Sequence, residues 1–517
     1  MSSRTCHSTF RWSRLTMALP LPDELTELTF NHLDVSSLLR CMQVCKSFCS
    51  IISGSVHLVY KIKLFASYME DNEDSAMDTV SRLDLLREYS RKWNDMEWSS
   101  SGSIPMADGH CWEFSGGILA QSTHENTLSL VQLPCKLKGI PEKRWSVPFD
   151  FRIRDFTLDN SQDLIVLLEL VGTFPNMSCN MHLRTLSGEQ HPRAAVEPIV
   201  YASASLHAEF SFLIQICGNR VAILFYDQLG ASPKNSFLIW NWPTGQQELY
   251  IHTAEFKSYA FMTEDLILAG VLTPDLEPAL QVLRVTAHGN SLPIHSLQDI
   301  SCICELQYPN LQGNVEYFLI RSEPTPTWKP PAGSGVPFYG SRRDFIFTIS
   351  LRILWNETQE SIVLFVPLST LLSEVDRSHD TPRRSVPWNA WGPDGTRMIF
   401  REPSETWVCY TYGMKFILGL RWNDGHVARL YDFDPYAARK HVKTSVDSPI
   451  PWKRLAQESK PSGRCRSFIE QVITRLPGRV ATIKLEHSND GWDTAMIGED
   501  HIVMVQPNSS KYGYMAM

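Results

Sequence analysis

Apolar positions in the first hundred residues recur in steps of three and four. Leu21, Leu25 and Leu28 form one stripe; Leu38, Cys41 or Met42, Cys45, Phe48 or Cys49, and Ile52 form a second. That spacing puts each set on one face of a helix. Pro22 suits a helix's first turn, where its missing N–H costs nothing. Asp34, Ser36 and Ser37 precede the second stripe as candidate caps. Leu83, Leu86, Tyr89, Trp93 and Met96 predict a third helical stretch over Ser81–Trp98.

Beyond Ser99–Ser103 the texture changes to short apolar runs rich in Val, Ile, Phe, Trp and Tyr, separated by Gly, Pro, Asn and Asp. This is the pattern of many antiparallel strands. Three units resemble one another: Ser161–Leu168, Gly218–Phe225 and Thr263–Ala269. Each opens on a polar turn, enters an apolar run and is followed by another strand, at Met181–Leu186, Phe237–Trp242 and Leu280–Val285. The first two of those close on Ser187-Gly188 and Thr244-Gly245, turns expected to end a blade. The units lie 57 residues apart from Leu164 to Val221 and 45 from Val221 to Leu266. That is the range of propeller blades, about 40–50 residues plus insertions.

Later strands are expected at Phe345–Leu354, Ile362–Pro367, Met398–Phe400, Trp407–Tyr412, Val427–Tyr431 and His501–Val505, with a turn at Gly392–Gly395 and long loops at Arg321–Gly340 and Leu372–Pro387. The predicted architecture is α+β and multidomain: a disordered tail over 1–18, a three-helix module over 19–65, a helical linker over 66–99 and a large all-β domain over 100–517, a β-propeller of about seven blades.

Composition narrows the classes. The 517 residues are 43% apolar and 20% charged, with 56 acidic against 48 basic side chains and a net charge of −8. That balance argues against general nucleic-acid binding, and no apolar run approaches the roughly 20 residues a bilayer requires. Arg4, Arg11 and Arg14 in Met1–Ala18 would suit a presequence, but a disordered tail is the expectation. Twelve scattered cysteines fit reduced thiols in a cytoplasmic or nuclear protein rather than disulfides or zinc ligands.

One stretch carries a recognisable order. Leu21-Pro-Asp-Glu24 opens it, Leu38-Leu-Arg40 follows, and Val44-Cys-Lys46 with Phe48 ends it. This resembles the F-box, over about a tenth of the chain. Val59–Leu64, Leu85–Trp93, Gly392–Arg397, Tyr431–Tyr436 and Gly491–Asp500 resemble a large group of basidiomycete F-box proteins. The resemblance implies docking on a Skp-family adaptor, and through it a cullin scaffold, by Leu21, Pro22, Leu25, Phe30, Leu33, Leu38, Leu39, Val44 and Phe48, with Glu24 and Lys46 at the polar rim. It implies a ubiquitin-ligase receptor whose β domain holds an unknown protein substrate; the alternative is a scaffold that binds through the β domain without a ligase. Thr29 stands where the family usually has Ile, and Phe48 where many members have Trp. Both reduce apolar surface and the expected adaptor affinity.

No G-x-S-x-G, P-loop, H-E-x-x-H or G-x-G-x-x-G occurs. Asp490 and Asp493 are expected in a solvated turn. No catalytic residue, metal or cofactor is predicted, and neither nucleic acid nor membrane is an expected partner. Trp328, Trp388, Trp391 and Trp492 lie near turn signals as candidate recognition anchors.

Overall fold

A computed structural model describes residues 21–124, 126–203, 206–226, 234–286, 294–378, 381, 383–400, 409–422, 425–439, 452–461, 465–484, 494–506 and 510–517. The expectations at Met1–Ala18, Asp490, Trp492 and Asp493 lie outside these residues, as does part of Trp407–Tyr412.

The helical end contains α1 (Asp23–Asn31), α2 (Val35–Val44), α3 (Lys46–Gly54), α4 (Val56–Ala66) and α5 (Thr79–Asp95). Asp34 caps α2 by accepting from the Ser37 N–H at 2.7 Å. The second apolar stripe is broken where one helix was expected. Cys45 is extended, and its sulfur accepts from the Phe48 N–H at 3.4 Å, so a new helix starts there. Cys41, Cys45 and Cys49 therefore do not share one helix. The polar caps Ser55 and Asp78 open α4 and α5 in the ordinary way.

Residues 100–517 form a seven-bladed propeller. Blades 1 to 3 start with inner strands Trp112–Ser115, Asp155–Asp159 and Ser211–Cys217, and blades 4 to 7 with Phe256–Phe261, Asn314–Arg321, Thr411–Tyr412 and Thr494–Ile497. The three similar sequence units supply the second strands of blades 2, 3 and 4, and their followers supply the third strands. The Ser187-Gly188 and Thr244-Gly245 turns sit between third and fourth strands rather than at blade ends, because each blade adds one more outer strand. Gly392–Gly395 lies inside a helix, Trp388–Gly395, and Leu372–Pro387 holds part of another, Leu368–Arg377.

Blade 7 closes the ring. Its strands Thr494–Ile497, His501–Gln506 and Lys511–Ala516 come from the end of the chain, and its outer strand, Ser100–Pro105, comes from the start of the β domain. The closing pair is tight at Gly102, where a Cβ would lie 2.6 Å from the Tyr514 hydroxyl.

The linker is welded to the propeller. Leu83, Leu86, Tyr89, Trp93 and Met96 are buried with Phe338, Phe416, Trp452 and Ile497 of the β domain in one apolar cluster. The Tyr89 hydroxyl donates to the Glu499 carbonyl at 2.7 Å, and the Trp452 Nε1 donates to the Asn94 carbonyl at 2.9 Å. Strand Met69–Asp71 pairs with Phe338–Gly340. The helical end is thus held on one propeller face.

Trp328, Trp388 and Trp391 are buried, which removes them as open anchors: Trp328 Nε1 bonds Asn160, and Trp388 and Trp391 pack edge to face at 5.2 Å.

Candidate functional site

Helices α1 to α4 share a small core of Phe30, Leu38, Ile52 and Leu58, with Leu33, Cys41, Met42 and Phe48 packed against it. Lys61 ties α4 to the end of α1, donating to the carbonyls of Asn31 and Leu33 at 2.9 and 2.7 Å. A core this small stabilises little by itself.

The residues that the motif placed at the docking face divide in three. Leu21, Leu25, Leu39 and Val44 are 47%, 48%, 37% and 67% exposed, and Pro22 and Glu24 are exposed beside them. Phe30 and Leu38 are sealed in the module's own core, so they cannot be open anchors. Leu33 and Phe48 are half-buried at its edge. Phe48 stands edge-on to Phe30 at 5.1 Å, so a ring here supports α1 from within.

Leu28, 58% exposed, extends the open stripe. Thr29 is also exposed, and its hydroxyl donates to the Leu25 carbonyl at 2.9 Å. The hydroxyl is thereby satisfied within the helix. Exposed apolar side chains thus lie on two elements: Leu21, Leu25 and Leu28 on α1 and its approach, and Leu39 and Val44 on α2. Scattered exposed leucines are ordinary, but Leu21, Leu25 and Leu28, spaced by four and three, share one side of α1 and its approach, and an apolar set of that kind marks an interaction surface.

The second feature is a cavity of about 320 Å³ in the propeller's central channel. Antiparallel blades put all turns after first and third strands on one face, the face that carries the helices. The Arg321–Gly340 loop crosses the channel there. The Gly218 N–H of blade 3 donates to Thr327 at 2.7 Å, Trp328 donates to Asn160 of blade 2 at 2.9 Å, and the Gly340 N–H donates to Glu499 of blade 7 at 2.9 Å. The cavity also reaches Trp112, Asp155 and Phe212, at the beginnings of inner strands toward the opposite face.

Six carboxyls line this cavity, and burial pushes three of them up: Glu113 to about 8, Glu323 to about 7 and Asp155 to about 6. A raised carboxyl favours the fold below the carboxyl's unfolded value, and that contribution is lost as pH rises through the folded value. Glu113→Gln is therefore expected to stabilise the protein at pH 9 by up to about 5 kcal/mol, the folded value of about 8 standing against an ordinary 4.5 at about 1.4 kcal/mol per unit, and to change little at pH 4. Thermal melts at the two pH values check this; equal shifts at both contradict it. Sequence inspection missed these residues, because isolated polar positions in apolar strands carry no signal of facing a channel.

Among the described residues, no group of three or more His, Cys, Asp or Glu is placed to hold a metal ion, and no single helix is long and apolar enough to cross a membrane.

Comparison with known proteins gives one family match: residues 19–64 fit the F-box-like family model. No curated protein matches the chain. Among solved structures, a hydrazine synthase of Kuenenia stuttgartiensis is 10% identical (52% of this chain, 66% of that one, TM-score 0.28). The alignment thus spans just under two thirds of that protein. An uncharacterised protein of Listeria monocytogenes EGD-e is 7% identical (65% and 95%, TM-score 0.29), and Drosophila Semaphorin 2a is 7% identical (80% and 74%, TM-score 0.34). Open apolar stripe, helical module and family match coincide within one segment: the chain carries an F-box-like domain at residues 19–64, joined to a seven-bladed β-propeller.

Proposed function

We propose that the protein is the substrate-recognition subunit of an SCF-type ubiquitin ligase. The observation that carries this reading is the F-box-like segment whose Leu21, Leu25, Leu28, Leu39 and Val44 stay open to solvent. A Skp-family adaptor would cover these side chains and link the chain to a cullin. Leu33 and Phe48 would border the contact, with Glu24 and Lys46 at its rim. Phe30 and Leu38 would act from beneath, by holding α1 and α2 in place. The likeness of Val59–Leu64 and Leu85–Trp93 to basidiomycete F-box proteins supports the same division of labour.

The protein would contribute proximity rather than catalysis, raising the effective concentration of a target lysine near a conjugating enzyme. The welded linker favours that role, since a fixed arm presents a target in one direction. A target would sit on the face opposite the helices, where Phe174 and Leu276 are exposed in loops. Co-purification of the full-length chain with both adaptor and cullin is the expected result. Adaptor without cullin would favour a scaffold, and neither partner would overturn the reading.

A further inference from the structure

The central cavity contains two kinds of unmet demand. Glu113, Asp155 and Glu323 face it with Arg321 among them. The buried Nε of Arg321 has no hydrogen-bond partner among the described residues. An unpaired buried donor of this kind is costly to leave unmet. The carboxyls are only partly served: Glu113 accepts from the Thr157 hydroxyl at 2.9 Å, and Asp155 accepts from the Phe156 N–H at 2.9 Å. Arg321 acts on all three acids through its charge, and Arg154 acts on Asp155 as well. Burial keeps the three carboxyls raised even with Arg321 nearby.

A simple cation would satisfy the acids and be repelled by Arg321. A simple anion would do the reverse. An ammonium group beside a carbonyl oxygen satisfies both at once, the ammonium donating to carboxylates and the carbonyl accepting from the guanidinium. We propose that the propeller channel binds an α-ammonium group together with its neighbouring carbonyl, as at a polypeptide N-terminus, between Glu113, Asp155, Glu323 and Arg321. Entry is from the face opposite the helices, because the Arg321–Gly340 loop crosses the other mouth. Trp112 and Phe212, near that entrance, supply apolar walls for the first side chain. A cavity of about 320 Å³ holds the tip of a chain rather than a folded element. The inference deepens the recognition role proposed above, on which it rests for its use though not for its chemistry.

Calorimetric titration of the full-length protein tests it, with three probes: hexa-alanine with a free amino end, N-acetylated hexa-alanine and alanine amide. The free hexamer is expected to saturate one site, and acetylation to weaken it roughly tenfold or more, the scale of one charged hydrogen bond. Glu323→Gln and Arg321→Gln should each weaken the free hexamer by a similar factor. Should either variant melt early, the ratio of free to acetylated hexamer in the unaltered protein decides the matter alone. Equal binding of the two hexamers, or saturable binding by neither, overturns the proposal. A hexamer tighter than alanine amide assigns the site to polypeptides; equality assigns it to free amino-acid derivatives, and either upholds the chemistry. A chain that takes the free hexamer yet captures no adaptor would sink the ligase reading and leave the channel site standing.

Discussion

Leu25→Asp combined with Leu28→Asp is expected to abolish adaptor binding while leaving the fold intact. Both side chains lie on the outer face of α1, 48% and 58% exposed, and neither belongs to the Phe30–Leu38–Ile52–Leu58 core. Surface substitutions away from packed features usually stay within about 0.5 kcal/mol, and an acid at Leu25 also sits in the favourable first turn of the helix. Each leucine covered by a partner is worth about 1.5 kcal/mol or more, so two together account for roughly 100-fold or more in affinity. Burying two carboxylates adds to that loss. An unchanged thermal melt with no adaptor retained in gel filtration is the predicted pair of results. Phe30→Ala makes the contrast: it removes a buried ring from a small core, costs about 3–5 kcal/mol, and should loosen the module itself.

Ending the chain at Gln506 should open the propeller. The truncation removes Lys511–Ala516, which pairs on one side with His501–Gln506 and on the other with Ser100–Pro105. Tyr512, Tyr514, Ala516 and Met517 are all buried. Loss of a large buried aromatic typically costs about 3–5 kcal/mol, and two of them go here with both ladders of the strand. Whole domains are stable by only about 5–15 kcal/mol. Ser100–Pro105 would also be left with no neighbour, and it stands directly after α5, so the weld between linker and propeller would loosen too. Rapid limited proteolysis and loss of a cooperative melt are expected; a truncated protein that melts as the full chain does would contradict the closure described here.

The legible parts of the fold were those encoded locally. Blades 2 to 4 showed themselves through apolar second strands beginning at Leu164, Arg220 and Leu266, each behind a polar turn. Blade 7 did not, because its strands come from both ends of the β domain and no local pattern records a pairing between Ser100 and Ala516. Blade 6 was obscured in another way, since its third and fourth strands, Gly425–Asp432 and Arg479–Lys484, are far apart in the chain. The break at Cys45 escaped notice because a cysteine sulfur is an unusual cap. The docking motif was visible as a motif, but its order of residues does not say which leucine faces inward. Helical geometry decides that: Phe30 and Leu38 turn to the core while Leu25, Leu28 and Leu39 turn out. The channel acids and Arg321 were illegible for the same reason as blade 7, since their meeting depends on the closed ring.

Footprinting of the purified full-length chain, with and without a Skp-family adaptor, tests the account most directly. Covalent labelling of exposed side chains reads Leu21, Leu25, Leu28, Leu39 and Val44 one by one. A stable complex in which these five lose reactivity, while Phe174 and Leu276 keep theirs, is the predicted result. An adaptor that forms no complex, or one that leaves those five side chains as reactive as before, would contradict it.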